Sequence, residues 1–291
     1  MSYPSKVTKT IKEFCYLSPN SVAEAVSMLQ RFDAEVLAGG TDLLPMMKQR
    51  EVTPEFIVNI KKIPDLAYIR EDDDGLKIGA LTTIFTIKES DIIRQKYISI
   101  YEAAKNFAYL QIRNMATVGG NICRSSPSAD MVPPLMAFDA VVKLVGPKGS
   151  RNVLLENFFK GSRQNVLELE LLTEIVIPRK DGRYGTAFGK MKRNSGDLAK
   201  VNGAVKIIVR GRTCEDIRIV LGAVAPKPLR ARSAEQAMKA RIIEEDVIEA
   251  AAQKVAEDIA PITDVRSTSA YRTEVSKVLI RRLIKLAIER S

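Results

Sequence analysis

Leu37-Ala38-Gly39-Gly40-Thr41-Asp42-Leu43-Leu44 is the stretch on which the fold turns. The run Glu35-Val36-Leu37-Ala38 leading into it reads as a short strand that stops at the glycine pair. Thr41 or Asp42 then offers a side-chain oxygen to cap a helix through Met46, Met47 and Lys48. A second pair stands in Ala116-Thr117-Val118-Gly119-Gly120-Asn121-Ile122. Paired glycines let the backbone take positive φ and come close to a ligand, because no Cβ intervenes. Exposed N–H groups in such loops suit phosphate, and Thr41 and Thr117 add hydroxyls. Two loops of this kind could grip the two phosphates of a dinucleotide, although each taken singly also fits an ordinary turn. Neither is the G-x-G-x-x-G fingerprint, and no G-x-x-x-x-G-K-S/T loop is present. A dinucleotide bound here is therefore held by something other than a Rossmann fold.

Working outward, Glu13-Phe14-Cys15-Tyr16 reads as a strand. Ser21 and Glu24 have capping-box spacing before a helix carrying Val22, Ala25, Val26 and Leu29. Phe56 to Ile60 completes a β-α-β-like unit. The runs Leu66 to Ile69 and Leu76 to Gly79 flank Asp72-Asp73-Asp74-Gly75, which predicts a hairpin. Short helices are expected over Thr83 to Glu89 and Ile100 to Phe107, and strands over Ala140 to Val145 and Glu174 to Ile177. Residues 108–134 lack a regular pattern and read as a long functional loop.

Pro178 to Arg183 is charged and turn-rich, which marks a domain boundary. Three β-type runs follow (Gly185 to Met191, Asn202 to Val209, Glu215 to Val224), then helices over Ser233 to Arg241, Glu244 to Ile259 and Ala270 to Arg290. The last is expected to bury Val275, Val278, Leu279, Leu283 and Leu286. Its outer face then carries Lys277, Arg281, Arg282, Lys285 and Arg290 as a solvated basic stripe.

Composition narrows the chemistry. The 291 residues include 46% hydrophobic and 27% charged, as in a globular protein. No apolar run is long enough to span a bilayer, and the polar start Met1 to Lys6 leads into no signal core, so a cytoplasmic protein is expected. The net charge of +10 is dispersed, and with 6% aromatics and no tryptophan there is no stacking platform for bases, so nucleic acid is not an expected partner. Histidine is absent, which excludes Ser-His or Cys-His nucleophile pairs and any histidine metal ligand. The three cysteines, Cys15, Cys123 and Cys214, are too few and too scattered for an iron–sulfur cluster. They read as free thiols, with no metal site expected. Redox chemistry, if present, has to come from a bound organic cofactor.

The segments Leu37 to Pro45 and Gln111 to Ile122 together resemble the paired FAD motifs of the flavoprotein (medium) subunits of carbon monoxide dehydrogenase, xanthine dehydrogenase and related molybdenum hydroxylases. Ile78 to Thr83, Ser126 to Asp130 with Pro133-Pro134-Leu135, Gly196 to Ala199 and Thr268 to Arg272 are similar to further family segments, so the likeness runs from about residue 10 to the C-terminus. It implies an α+β protein with a vanillyl-alcohol-oxidase-type (PCMH-type) FAD-binding fold. Residues 1–178 would form the FAD-binding domain, with subdomains of about 1–60 and 61–178, and 183–291 a smaller α+β C-terminal domain.

By the same resemblance Ala38, Gly39, Gly40, Thr41 and Asp42, with Thr117 to Asn121 (Gly119 and Gly120 among them), would hold the pyrophosphate, and Leu37 belongs to the cofactor set. Asp130 would contact the ribose or adenosine half, with Cys123, Arg124 and Ala129 on that side. Gly79, Ala80 and Thr82 would approach the flavin or its ribityl chain, Leu171-Leu172 would pack on the adenosine end, and Ala108 and Ile112 join the cofactor set. Phe188 to Arg193 aligns with a stretch beside the isoalloxazine, where Lys190 is the expected contact and Phe188 replaces a frequent tyrosine. The cysteine-bearing insertion of relatives that reduce aromatic coenzyme A thioesters is missing after Cys123.

The implied role is a relay. A 2Fe-2S small subunit would feed electrons to FAD here, a molybdopterin large subunit would hold the substrate, and NAD or a quinone would accept the electrons. The rival reading is a self-contained FAD oxidoreductase of the same fold, which would need its own proton donor; Tyr109, Tyr184 and Ser195 are the candidates.

Overall fold

The computed structural model describes residues 11–179 and 182–291. The polar start Met1 to Lys6, and Lys180 and Asp181 in the expected boundary, lie outside the described residues.

The chain opens with β1 (Cys15–Leu17), α1 (Val22–Arg31), β2 (Ala34–Leu37), α2 (Leu43–Gln49) and β3 (Phe56–Asn59). The three strands pair in parallel in the order β1-β3-β2, each reached by a helical crossover. Ser21 caps α1, its Oγ accepting the Glu24 N–H at 3.1 Å. The Glu24 carboxylate returns to the Asn20 N–H at 2.8 Å, one residue before the position that a strict capping box would use.

Next come β4 (Ile69–Asp72), β5 (Gly75–Gly79), α3 (Ile84–Glu89), α4 (Asp91–Lys96), α5 (Ile98–Asn106), α6 (Leu110–Met115), α7 (Val118–Cys123) and α8 (Val132–Ala137). They are followed by β6 (Val141–Gly146), β7 (Gly149–Leu154), α9 (Leu155–Phe158), the small pair β8 (Phe159–Gly161) and β9 (Gln164–Asn165), and β10 (Leu171–Pro178). An antiparallel sheet runs β4-β5-β10-β6-β7. Its hairpin turns at the expected acidic tip, although β4 begins at Ile69 and not at Leu66. Residues 108–134 are not one irregular loop. Each helix there has six residues, too short to show a period, and α7 contains both glycines while α8 carries prolines in its first turn.

The last part contains β11 (Gly185–Met191), β12 (Val201–Arg210), β13 (Thr213–Gly222), β14 (Leu229–Arg230), α10 (Arg232–Met238), α11 (Glu245–Asp258) and α12 (Ser269–Glu289). The antiparallel sheet β11-β12-β13-β14 is buried on both faces, and the strand period of two sorts its residues. Odd-numbered Ala187, Val201, Val205, Ile207, Ile217, Ile219 and Leu221 pack under α10, α11 and α12. Even-numbered Phe188, Ala204 and Val220 join the core of the middle sheet. Even-numbered polar residues cross the same boundary. Lys206 lies over the Phe138 and Tyr184 rings, and Arg218 pairs with Asp139 at 3.3 Å.

The buried face of α12 is rotated from the expected one. Leu279, Ile280, Leu283, Ile284 and Ala287 are inside together with Arg272 and Ser276, whereas Val278 is exposed and Val275 and Leu286 are half-buried. Two polar residues on the inner face disguised the stripe. The basic outer face is largely neutralised by neighbouring carboxylates: Arg281 reaches Glu249 at 3.3 Å, Lys285 reaches Glu245 at 2.7 Å, and Arg290 reaches Glu102 at 2.7 Å. No helix among the described residues is long and apolar enough to cross a membrane.

Arg272 holds the start of α12 to the sheet. It is 3% exposed and donates to the carbonyls of Lys200 (3.0 Å) and Ala223 (2.6 Å) and to Asp264 (2.8 Å). Replacing a buried, bonded charge with an aliphatic chain leaves its partners unsatisfied. Arg272→Met is expected to cost about 3 kcal/mol or more in urea unfolding.

Candidate functional site

The two glycine loops meet backbone to backbone. A Cβ on Gly39 would stand 2.0 Å from the Met115 carbonyl oxygen, and one on Gly119 would stand 2.7 Å from the Ala80 carbonyl oxygen. These glycines are thus required by packing between protein segments. Gly40 is required for a different reason, its φ of +73°. The Ile84 N–H donates to Ala116, and the Val118 N–H to Thr82, so the second loop is stitched to the β5–α3 connection as well.

The joined loops floor a cavity of about 550 Å³. Of the expected cofactor residues, Ala38, Gly39, Gly40, Thr41, Asp42, Ala80, Thr117, Gly119, Gly120, Asn121, Cys123 and Leu172 line it. The others lie behind that lining. Leu37 is in the core with Met47 and Ile57. Gly79 packs on the Leu66 carbonyl, and Thr82 exchanges hydrogen bonds with the Tyr68 backbone at 3.0 and 2.9 Å. Ala108 sits at φ +32°, its carbonyl accepting from Arg113, and Ile112 packs against the core.

Asp130 and Lys190 form a buried ion pair of 2.6 Å, with Asn202 donating to the other Asp130 oxygen at 2.9 Å. Burial pushes the Asp130 carboxyl above its ordinary value, against the pull of Lys190 and Asn202. The even position of Lys190 on β11 aims it across the sheet boundary, where Asp130 stands. Phe188 is in the core, and its N–H donates to Glu102 at 2.9 Å.

The two loops differ as donors. In the second, the N–H groups of Val118, Gly119, Gly120 and Asn121 go to Thr82 O, Ala80 O, Thr117 Oγ1 and Thr117 O. In the first, the N–H groups of residues 39–42 have no acceptor among the described residues. Asp42 stands at the start of α2 without a side-chain capping bond. Asn121 lines the cavity; its side-chain oxygen accepts the Met131 N–H at 3.3 Å, and its NH2 has no acceptor among the described residues.

A third wall was not legible in the sequence. Arg163, Asn165, Leu167, Leu169 and Glu170 line the cavity from the β8–β9 hairpin and its sequel, and Phe32, Asp33 and Glu35 line it beside β2. Asn165 fastens the hairpin to the end of α7, donating to Cys123 O at 3.0 Å and Ser125 Oγ at 3.1 Å. Glu170 is braced by Arg151 with two contacts of 2.7 Å. No motif marks this wall; only the turn character of Asn165 hints at it.

Unpaired donors together with apolar lining residues (Phe107, Ala116, Leu167, Leu169, Leu171, Leu172) fit a molecule with an anionic middle and aromatic ends, as FAD has. Burial pushes the Cys123 thiol up to about 12, so it is no nucleophile at neutral pH. Tyr109, Tyr184 and Ser195 do not line the cavity. Among the described residues no group of His, Cys, Asp and Glu could hold a metal ion.

Gly39→Ala is expected to destabilise the chain by about 2 kcal/mol or more, since the Met115 backbone cannot move aside cheaply. Gly120→Ala, whose Cβ meets only Thr117 Oγ1 at 2.9 Å, should stay within about 1 kcal/mol of wild type; denaturant titration compares the two. The Arg151 hydrogen bonds hold the Glu170 carboxyl below its ordinary value of 4.5. Its contribution to stability is therefore present above that value and is lost as pH falls through the lower folded one. Melting curves over this acid range should fall less steeply for Glu170→Gln than for wild type.

Residues 12–180 match the family described as "FAD binding domain in molybdopterin dehydrogenase", and residues 186–287 match "CO dehydrogenase flavoprotein C-terminal domain". The glyceraldehyde dehydrogenase medium chain of Sulfolobus acidocaldarius is 36% identical over 275 residues, 94% of this chain and 98% of that one. The xanthine dehydrogenase FAD-binding subunit of Escherichia coli O157:H7 is 30% identical over 273 residues, covering 92% and 94%. A solved carbon monoxide dehydrogenase of Hydrogenophaga pseudoflava superposes with a TM-score of 0.94 at 37% identity, covering 97% of this chain and 99% of that one. With the PCMH-type α+β fold and a cavity built on both glycine motifs, the chain belongs to the FAD-binding medium subunits of the molybdenum hydroxylases.

Proposed function

We propose that this chain is the electron-transferring component of a heterotrimeric, cytoplasmic hydroxylase or dehydrogenase. It would receive electrons from a 2Fe-2S small subunit and deliver them to an external acceptor of the NAD or quinone type, while a molybdopterin large subunit holds the substrate. Residues 1–178 serve as the FAD-binding domain and 183–291 as the C-terminal domain. The observation that carries the reading is a cavity equipped to hold a cofactor with an anionic middle. It has unpaired amide donors and an apolar wall, and no histidine is available anywhere in the chain.

When bound, FAD supplies the redox chemistry, since a flavin can exchange electrons singly or in pairs. The protein's part is to bind, orient and shield it. The N–H groups of residues 39–42, with the Asn121 amide, offer donors to the diphosphate. Leu171 and Leu172 on β10, together with Phe107, provide apolar surface that excludes water from the aromatic portions. The Asp130–Lys190–Asn202 cluster ties β11 and β12 to the segment after α7, so the second glycine loop cannot drift from the C-terminal sheet.

The test is the visible absorption spectrum of the purified protein, followed by acid release and identification of any flavin. The two absorption bands of an oxidised flavin, release of FAD and not FMN, and co-purification with an iron–sulfur polypeptide are the expected results. Failure to hold FAD even in the intact complex would overturn the proposal.

A further inference from the structure

The second glycine loop has spent its amides within the protein, since each N–H from Val118 to Asn121 already has an acceptor. A diphosphate gripped between the loops therefore finds free backbone donors on one side only. Two negative charges placed in a partly apolar cavity also need a cation, because desolvating an uncompensated anion is costly. The first loop supplies the opposite sign, for Asp42 lies in it and lines the same cavity.

Two arginines line the cavity, Arg124 and Arg163. Arg163 is committed elsewhere: its Nη1 bonds Glu51 at 3.3 Å, and its side chain is 58% exposed. Arg124 directly follows α7, and its side chain is only 21% exposed. Its guanidinium makes no hydrogen bond among the described residues. Its one ionic neighbour among the described residues is Asp42, at 3.8 Å across the joined loops, too long for a hydrogen bond. Asp42 itself is 62% exposed and has no other cationic neighbour among the described residues. Arg124 thus stands beside the unpaired amides with its donors unused.

We propose that Arg124 neutralises the diphosphate of the bound cofactor by exchanging its loose contact with Asp42 for the phosphate oxygens. The inference rests on the FAD reading. It assigns the charge compensation of the second loop to a side chain in place of the loop's own amides. Released from Arg124, Asp42 can turn outward into solvent, which lowers the like-charge repulsion at the phosphates.

The experiment is a flavin-fluorescence titration of the deflavinated full-length chain with FAD over a salt series, for wild type, Arg124→Gln and Arg124→Lys. The glutamine variant should bind FAD roughly 10- to 100-fold more weakly. Its affinity should also depend less steeply on salt than that of wild type, since one screened charge contact has gone. Lysine should restore the steep salt dependence. Unchanged affinity in the glutamine variant overturns the proposal. So does a loss of affinity with an unchanged salt dependence, which would mark Arg124 as a structural residue. A wild-type chain that takes up no FAD at any salt, alone or in its complex, fails the cofactor reading itself; normal uptake by both chains fails only the arginine.

Discussion

Two glycine loops pressed together without side chains between them set the geometry of this molecule. Gly39 lies on the Met115 carbonyl and Gly119 on the Ala80 carbonyl, so three remote segments touch through their backbones. Such contacts tolerate little change, because an added Cβ meets main-chain atoms, which cannot rotate aside as a side chain can. They register the parallel sheet β1-β3-β2 against the antiparallel sheet β4-β5-β10-β6-β7, and the cavity is the space left above that seam. The amides of the second loop are consumed in making the seam, which leaves the first loop and side chains to meet a ligand.

The C-terminal sheet has a different task. Its odd-numbered residues support three helices and its even-numbered residues face the cofactor-binding half. A sheet covered on both sides has no solvent face on which to place polar residues. Several that it carries are paired across the boundary: Lys190 and Asn202 with Asp130, and Arg218 with Asp139, while Arg230 reaches Glu156 at 3.9 Å and its own side's Glu235 at 2.6 Å. Buried charges of this kind cost most when one partner is removed, because the other is then left uncompensated.

Much of the local structure was legible in the sequence because it depends on near neighbours. Ser21 caps its helix, as its spacing from Glu24 predicts, and the three β-type runs from Gly185 onward gave strands close to β11, β12 and β13. Residues 108–134 were not legible, since helices of six residues show less than two turns of pattern and α7 is built around glycines that argue against a helix. The inner face of α12 was misread because Arg272 is buried there, satisfied by two carbonyls and a carboxylate that lie far away in sequence.

What the sequence determined by itself was the kind of chemistry. Without histidine and with three scattered cysteines, the chain has no Ser-His or Cys-His nucleophile pair, no histidine metal ligand and too few cysteines for an iron–sulfur cluster, and the glycine motifs, by their resemblance, pointed to a flavin. What only the tertiary structure decided was which groups remain available to that flavin. The two glycine motifs look equivalent in sequence, yet one spends its N–H groups on the β5–α3 connection and its own threonine while the other keeps them. The wall from Arg163 to Leu172 and the approach of Arg124 to Asp42 arise the same way, from chain segments brought together in folding. Hydrogen-bond satisfaction is a sum over neighbours in space, and most of those neighbours here are distant along the chain.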